Sequence, residues 1–284
     1  MEKIDRLGWA AGISLEVFGL KLGIRVCDPA ILDRLLSRVP AGWIPSQTAV
    51  VDRLYSVVTP SLRRGNIRQL CVLYGDHGRL ARTERIEELV ETFEADLDFY
   101  IASSSRRCLF VHAGAVEWRG QAIVIPGRSR TGKTTLVAEF LKRGAAYYAD
   151  DFVAIDTDGY LHSYPRPLSV RMRNRTAKRV FPDELGARCA QVRPVSFVFV
   201  TQYLEEASWK AERISAGQGV LSLMENTPSS RKHPDFALDV LQQAVRGAEI
   251  WKGHRGESEQ AVDELERHLD RGGTDEQSRQ DGDS

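Results

Sequence analysis

No charge of either sign dominates this chain: thirty-nine Lys and Arg stand against thirty-nine Asp and Glu. That balance argues against a general nucleic-acid or membrane-surface binder, whose electrostatic footprint is a basic excess. Cysteine is scarce. The four present, Cys27, Cys71, Cys108 and Cys189, are widely scattered and form no C-x-x-C pair, so they read as buried thiols in a reducing cytoplasm. Long apolar runs are missing too. None approaches the length of a bilayer-spanning helix, and Met1-Glu-Lys-Ile-Asp-Arg6 carries acids with no apolar stretch after it. The expectation is a soluble, cytoplasmic protein. The N-K-x-D motif with which guanine-nucleotide switches read their base is also absent. What is present is enough apolar material, 42% of 284 residues, to fill one large or two modest domains.

The most informative stretch runs from Ala122 to Leu136. Ile123, Val124 and Ile125 make a short buried strand. Gly127-Arg128-Ser129-Arg130-Thr131-Gly132-Lys133-Thr134 then follows with G-x-x-x-x-G-K-T spacing, and Leu136, Val137, Phe140 and Leu141 carry helical periodicity. Strand, glycine-bounded loop and helix start together read as a P-loop. In such a loop, glycines let backbone N–H groups close around phosphate oxygens at a helix N-terminus, where the dipole favours anions. Residues 127 to 135 are thus the expected cofactor-binding set, Thr135 included, with Lys133 reaching the terminal phosphates and the Thr134 hydroxyl on Mg2+. The implied cofactors are ATP and Mg2+.

Paired carboxylates, Asp150 and Asp151, follow Lys133 by one helix and one strand, so the chain can return beside the loop and present them to the same phosphates. One acid can serve the metal, and the other can take the proton of an attacking hydroxyl. Successive strand residues point to opposite faces, so both can serve one site only if the strand bulges there. Elsewhere the reading is quieter. Strands are expected within Ile13–Val26, at Arg53–Val58 and at Leu70–Tyr74, with helices at Ala30–Val39 and from Thr83 to Ile101. Asp76-His77 reads as a solvated glycine turn. Leu109–Trp118 turns through Arg119-Gly120 into the strand before the loop, and Val195–Val200 is a further buried strand. Ser215 to Gln218 reads as a capping box, and Pro234 opens another helix.

From Phe110 to Arg171 the chain resembles the kinase domain of HPr kinase/phosphorylase and its relatives, which share a P-loop fold with ATP-dependent phosphoenolpyruvate carboxykinase. The matching residues are His112-Ala113, Gly127 to Thr134, Arg143-Gly144 and Ala149-Asp150-Asp151. The resemblance implies catalytic roles for His112 and Lys133, with Asp151 as the base that activates a serine, which leaves Asp150 to the metal with Thr134. Two departures stand out: Arg130 occupies the mid-loop glycine position, and Ser169 occupies that of a metal-binding glutamate. The implied partner is a protein or peptide carrying an acceptor serine, with Arg166, Arg171, Arg173 and Arg175 available to hold an acidic or C-terminal segment. No nucleic acid and no membrane are expected, and self-association stays open. The expected fold is α/β: a smaller α+β region over 1–105, a P-loop domain of HPr-kinase type over 106–256, and a helical C-terminus of one short helix and a disordered polar tail over 257–284. A nucleotide-binding regulatory or assembly module and a small-molecule kinase are the rival readings.

Overall fold

The computed structural model describes residues 5, 7–60, 70–127, 131–171 and 177–280. Two compact units divide the chain, residues 1–108 and 109–284. In the first, β1 (Ala11–Val17), β2 (Leu20–Val26), α1 (Pro29–Leu36), β3 (Ile44–Ser46), β4 (Arg53–Val58), β5 (Cys71–Gly75), β6 (Gly78–Thr83) and α2 (Ile86–Ser104) follow in order. The strands form one sheet in the order β3-β1-β2-β4-β5-β6. β1 and β2 join through Phe18-Gly19, both at positive φ (48° and 76°), the twist a two-residue hairpin requires. The Asp28 side chain caps α1 by accepting from the Ala30 amide at 3.0 Å. α1 lies in the crossover that parallel pairing of β2 with β4 demands.

α2 buries Leu89, Val90, Phe93, Leu97 and Ile101, a stripe at helical spacing. Phe93 meets Tyr55 edge-on at 4.9 Å, and the Tyr55 hydroxyl donates to Asp96 at 2.8 Å. The Asp76-His77 turn is not simply solvated. The Asp76 carboxylate accepts from the Leu54 amide at 2.9 Å and pairs with Arg53 at 3.0 Å, tying the turn into the sheet.

The second unit comprises β7 (Cys108–Trp118), β8 (Gln121–Pro126), α3 (Lys133–Lys142), β9 (Ala146–Ala149), β10 (Phe152–Asp156), β11 (Tyr160–His162), β12 (Leu168–Arg171), β13 (Ala177–Val180), β14 (Arg193–Tyr203), β15 (Lys210–Arg213), α4 (Ala216–Met224), α5 (Pro234–Ala244), β16 (Glu249–Arg255) and α6 (Ser258–Gln280). The main sheet runs β11-β10-β7-β8-β14-β16-β15, with β9 also paired to β7. β8, β14 and β16 are mutually parallel. Their carboxyl ends therefore share one edge, where open α/β sheets gather their ligands. β16, β15, β12 and β13 are strands beyond those read in the sequence.

α3 and α6 cover one face of this sheet. Leu136, Val137, Phe140 and Leu141 pack with Ile123, Ile125, Phe197, Phe199, Val262 and Leu265 in a single apolar cluster. Arg143 ties the two helices, donating from Nη1 to Asp263 at 2.6 Å and from Nε to Glu139 at 3.1 Å. On β16, alternation turns Ile250 away from Trp251. There α4 approaches so closely that a Cβ on Gly219 would stand 2.2 Å from the Ile250 Cδ1. Ser215 and Gln218 close the capping box at the start of α4.

Two expectations need correction. The helix expected to be short within 257–284 runs as backbone from Ser258 to Gln280, into the stretch expected to be a disordered polar tail. Glu276, Gln277, Arg279 and Gln280 are good helix formers, and a helix begun on the core propagates without a new nucleation cost even across Gly272 and Gly273. Of the four cysteines only Cys71 and Cys108 are buried, Cys27 is intermediate, and Cys189 is exposed in the loop before β14. Among the described residues no helix is long and apolar enough to cross a membrane.

Candidate functional site

β7 and β8 form a hairpin closed by Arg119-Gly120, both at positive φ (50° and 80°). At its far end the backbone amide of Gly127 donates to the His112 carbonyl at 3.3 Å, so β7 anchors the first residue of the loop that follows β8. A Cβ on Gly127 would stand 2.8 Å from the Thr131 Oγ1, and the loop packs back on itself there. Gly132 ends the loop in the left-handed region (φ 84°), which only glycine adopts cheaply. Lys133 then opens α3 and is 6% exposed. Arg128, Ser129 and Arg130 lie outside the described residues, as do Arg173, Arg175 and the side chain of Arg171. Arg166 is described, with its guanidinium 5.2 Å above the Tyr164 ring.

The paired acids stand between β9 and β10, where the chain leaves regular pairing. The β7–β9 register shifts between Ala115 and Val116. Asp150 and Asp151 themselves form a bend outside both strands, so the alternation of a flat strand does not apply to them. Asp150 is 2% exposed, whereas Asp151 is exposed. Gly114 makes room beside them: a Cβ there would stand 3.7 Å from the Asp150 Oδ1 and 2.5 Å from the Val137 Cγ2. The backbone of Asp151 is fixed by the Ala113 amide, which donates to its carbonyl at 3.3 Å.

Electrostatics draw these side chains into one group. Burial lowers the Lys133 ammonium below its ordinary value, and Asp150 and Asp151 pull it back up. Burial also lowers the His112 imidazole, assisted by the Lys133 charge and opposed by Asp151. The Asp150 carboxyl is pushed by burial up to about 6. The Thr134 side chain and the Ser169 backbone face it and favour its charged form. Neither reaches hydrogen-bond geometry, so both carboxylate oxygens are buried and unpartnered. The structure thus brings together His112, Gly127, Gly132, Lys133, Thr134, Asp150 and Asp151. Thr131 lies on the loop itself, and Thr135 is exposed on the first turn of α3.

A buried carboxylate with no donor is costly and calls for a cation. Among the described residues no cluster of three His, Cys, Asp or Glu could hold a metal alone. Asp150 and Thr134 offer instead the small oxygen donor set of a magnesium site completed by phosphate oxygens. Asp150, the Thr134 hydroxyl and the Lys133 ammonium beside them fit a divalent ion shared with an anionic ligand.

The titration of Asp150 has a measurable consequence. Its pKa rises from 3.8 to about 6 on folding, so the folded protein holds this proton more tightly than the unfolded chain does. The favourable contribution is present below pH 3.8 and is lost as pH rises to about 6, above which the ionised carboxylate opposes folding. Asp150→Asn in metal-free buffer is expected to raise the melting temperature at pH 8, by at most about 3 kcal/mol in stability. The gain should vanish near pH 4. Calorimetry at the two pH values checks this, and a variant less stable than wild type at pH 8 contradicts it.

One residue of the site escaped the sequence reading. Arg255, the last residue of β16, donates from Nη2 to the Gly132 carbonyl at 2.8 Å. It lies 123 positions further along the chain. β16 carries Lys252 and His254 among its apolar residues, and no motif marks its end.

No family model matches the chain, and no curated protein matches it. Among solved structures, the Hpr(Ser) kinase/phosphatase from Coxiella burnetii is similar, at 13% identity and a TM-score of 0.35. The match covers 60% of this chain and 96% of that one. Residue roles therefore rest on the geometry above.

Proposed function

We propose that the second unit is an ATP- and Mg2+-dependent kinase that transfers the terminal phosphate to a serine hydroxyl of a protein or peptide. The observation that carries this reading is the buried, unpartnered Asp150 carboxylate facing Thr134 and Lys133 where α3 begins. The G-x-x-x-x-G-K-T spacing and the strand-loop-helix order support it, because backbone N–H groups at a helix start hold phosphate.

In this reading the side chains divide the work. Asp150 and the Thr134 hydroxyl would hold the magnesium ion, which would supply charge neutralisation for the phosphates. Lys133 lies against the same phosphates and stabilises the negative charge spreading over their oxygens during transfer. Asp151, which is exposed, accepts the serine proton while the hydroxyl oxygen forms its bond to the terminal phosphorus. The bond from that phosphorus to the bridging oxygen breaks, and ADP leaves with the electron pair. His112, with its pKa lowered by burial, stays neutral at physiological pH and can orient the acceptor or the terminal phosphate through a ring nitrogen.

Incubation of the full chain with ATP labelled in its terminal phosphate, MgCl2 and a panel of serine-containing peptides tests the proposal. Magnesium-dependent label on serine is the expected result. Saturable ATP binding with no transfer to any peptide or hydroxyl metabolite would instead support a nucleotide-binding module.

A further inference from the structure

Arg255 is among the largest fully buried side chains of the protein, 2% exposed. An arginine stays charged at neutral pH even where burial lowers its pKa, as it does here. Its surroundings supply dipoles without a counter-ion. Nη2 donates to the Gly132 carbonyl at 2.8 Å and Nη1 to the Gly256 carbonyl at 3.0 Å, while the Tyr203 ring lies 5.6 Å from the guanidinium carbon. Nε is buried with no acceptor. Among the described residues no carboxylate pairs with Arg255. Glu257 favours its charge from a distance, but the Glu257 carboxylate accepts the Tyr203 hydroxyl at 2.9 Å. A buried, unneutralised cation is strongly unfavourable. Its persistence here indicates an anion that arrives later.

The place of this cation says which anion. In the parallel pairing of β14 and β16, Tyr203 stands opposite Arg255, beyond the point where β8 has ended and the loop of Gly127 to Thr134 has begun. The guanidinium grips the residue immediately before Lys133, and a Cβ on Gly132 would stand 2.3 Å from Nη2. Gly132 is therefore required twice, for its left-handed backbone and for the approach of Arg255.

We propose that Arg255 is a phosphate-binding residue of the nucleotide site. The carbonyls of Gly132 and Gly256 and the Tyr203 ring hold its guanidinium in place, and the bound phosphates supply its counter-ion. The inference rests on the nucleotide reading of the loop and adds a second cation, from the far end of the sheet, to Lys133. A guanidinium is suited to this task because its planar fork keeps donors for phosphate oxygens while others stay on the backbone.

Two neutral variants, Arg255→Gln and Arg255→Met, together with Arg255→Lys, test it by titration calorimetry with ATP and MgCl2. Melting curves of the empty proteins are read alongside. The neutral variants should bind ATP at least about tenfold more weakly, the loss of one charge-assisted contact. Their melting temperatures without nucleotide should stay near that of wild type, because an uncompensated charge has gone with the hydrogen bonds. Arg255→Lys should recover part of the affinity. Wild-type ATP affinity in a folded neutral variant overturns the proposal. So does a lowered melting temperature in all three variants with the ATP-induced rise intact, which makes Arg255 a structural tie between β16 and α3. Failure of wild-type protein to bind ATP defeats the nucleotide reading itself, and this inference with it.

Discussion

Lys133→Ala is expected to weaken ATP binding by at least about thirtyfold and to abolish phosphate transfer. Lys133 is almost fully buried where α3 begins, with Asp150 and Asp151 both within electrostatic reach. Removing its ammonium deprives the phosphates of a cation and leaves two carboxylates facing them. Truncating one partner of a buried charge pair across a binding interface costs about 2–5 kcal/mol. That corresponds to a loss of affinity on the order of thirtyfold to a few thousandfold. Titration calorimetry on the folded variant checks the expectation, with a melting curve as the control for folding. Unchanged ATP affinity would mean that the loop between β8 and α3 does not hold phosphate.

Asp151→Asn should separate binding from chemistry. Asp151 is exposed where Asp150 is buried, so an acceptor hydroxyl can reach Asp151 and not its neighbour. The amide keeps the shape of the side chain but cannot take a proton. ATP affinity should stay within a few-fold of wild type, while turnover falls by at least about 100-fold if general-base catalysis operates. Initial rates with the best peptide from the labelling panel, beside calorimetry with ATP, provide the comparison. A variant that keeps wild-type turnover removes Asp151 from the reaction. Equal loss of ATP affinity and turnover would move it into the nucleotide site.

The strand-loop-helix unit was legible in the sequence because its chemistry is local. Apolar residues at 123–125, glycines at 127 and 132 and helical periodicity from Leu136 specify consecutive elements, and the structure places them in that order. The proximity of Asp150 and Asp151 to Lys133 was legible from the length of one helix and one strand. The division of the pair was not. It depends on how the bend between β9 and β10 packs against β7, a tertiary contact that leaves no mark in the local sequence. Arg255 was invisible for a related reason. Parallel strands pair across long intervals of chain, and no local pattern states that β16 lies beside β14. The extension of α6 carries no apolar mark in the sequence, because a helix seeded by Val262 and Leu265 on the core runs past its last buried residue.

The most direct test of the nucleotide site is titration of the full wild-type chain with ATP, first in MgCl2 and then in EDTA. The account predicts saturable one-to-one binding in magnesium and affinity at least about tenfold weaker in EDTA, the effect of one lost contact to charged groups. It also predicts that Asp150→Asn erases the difference between the two buffers. No saturable binding in either buffer, or wild-type affinity that is the same in both, would contradict it.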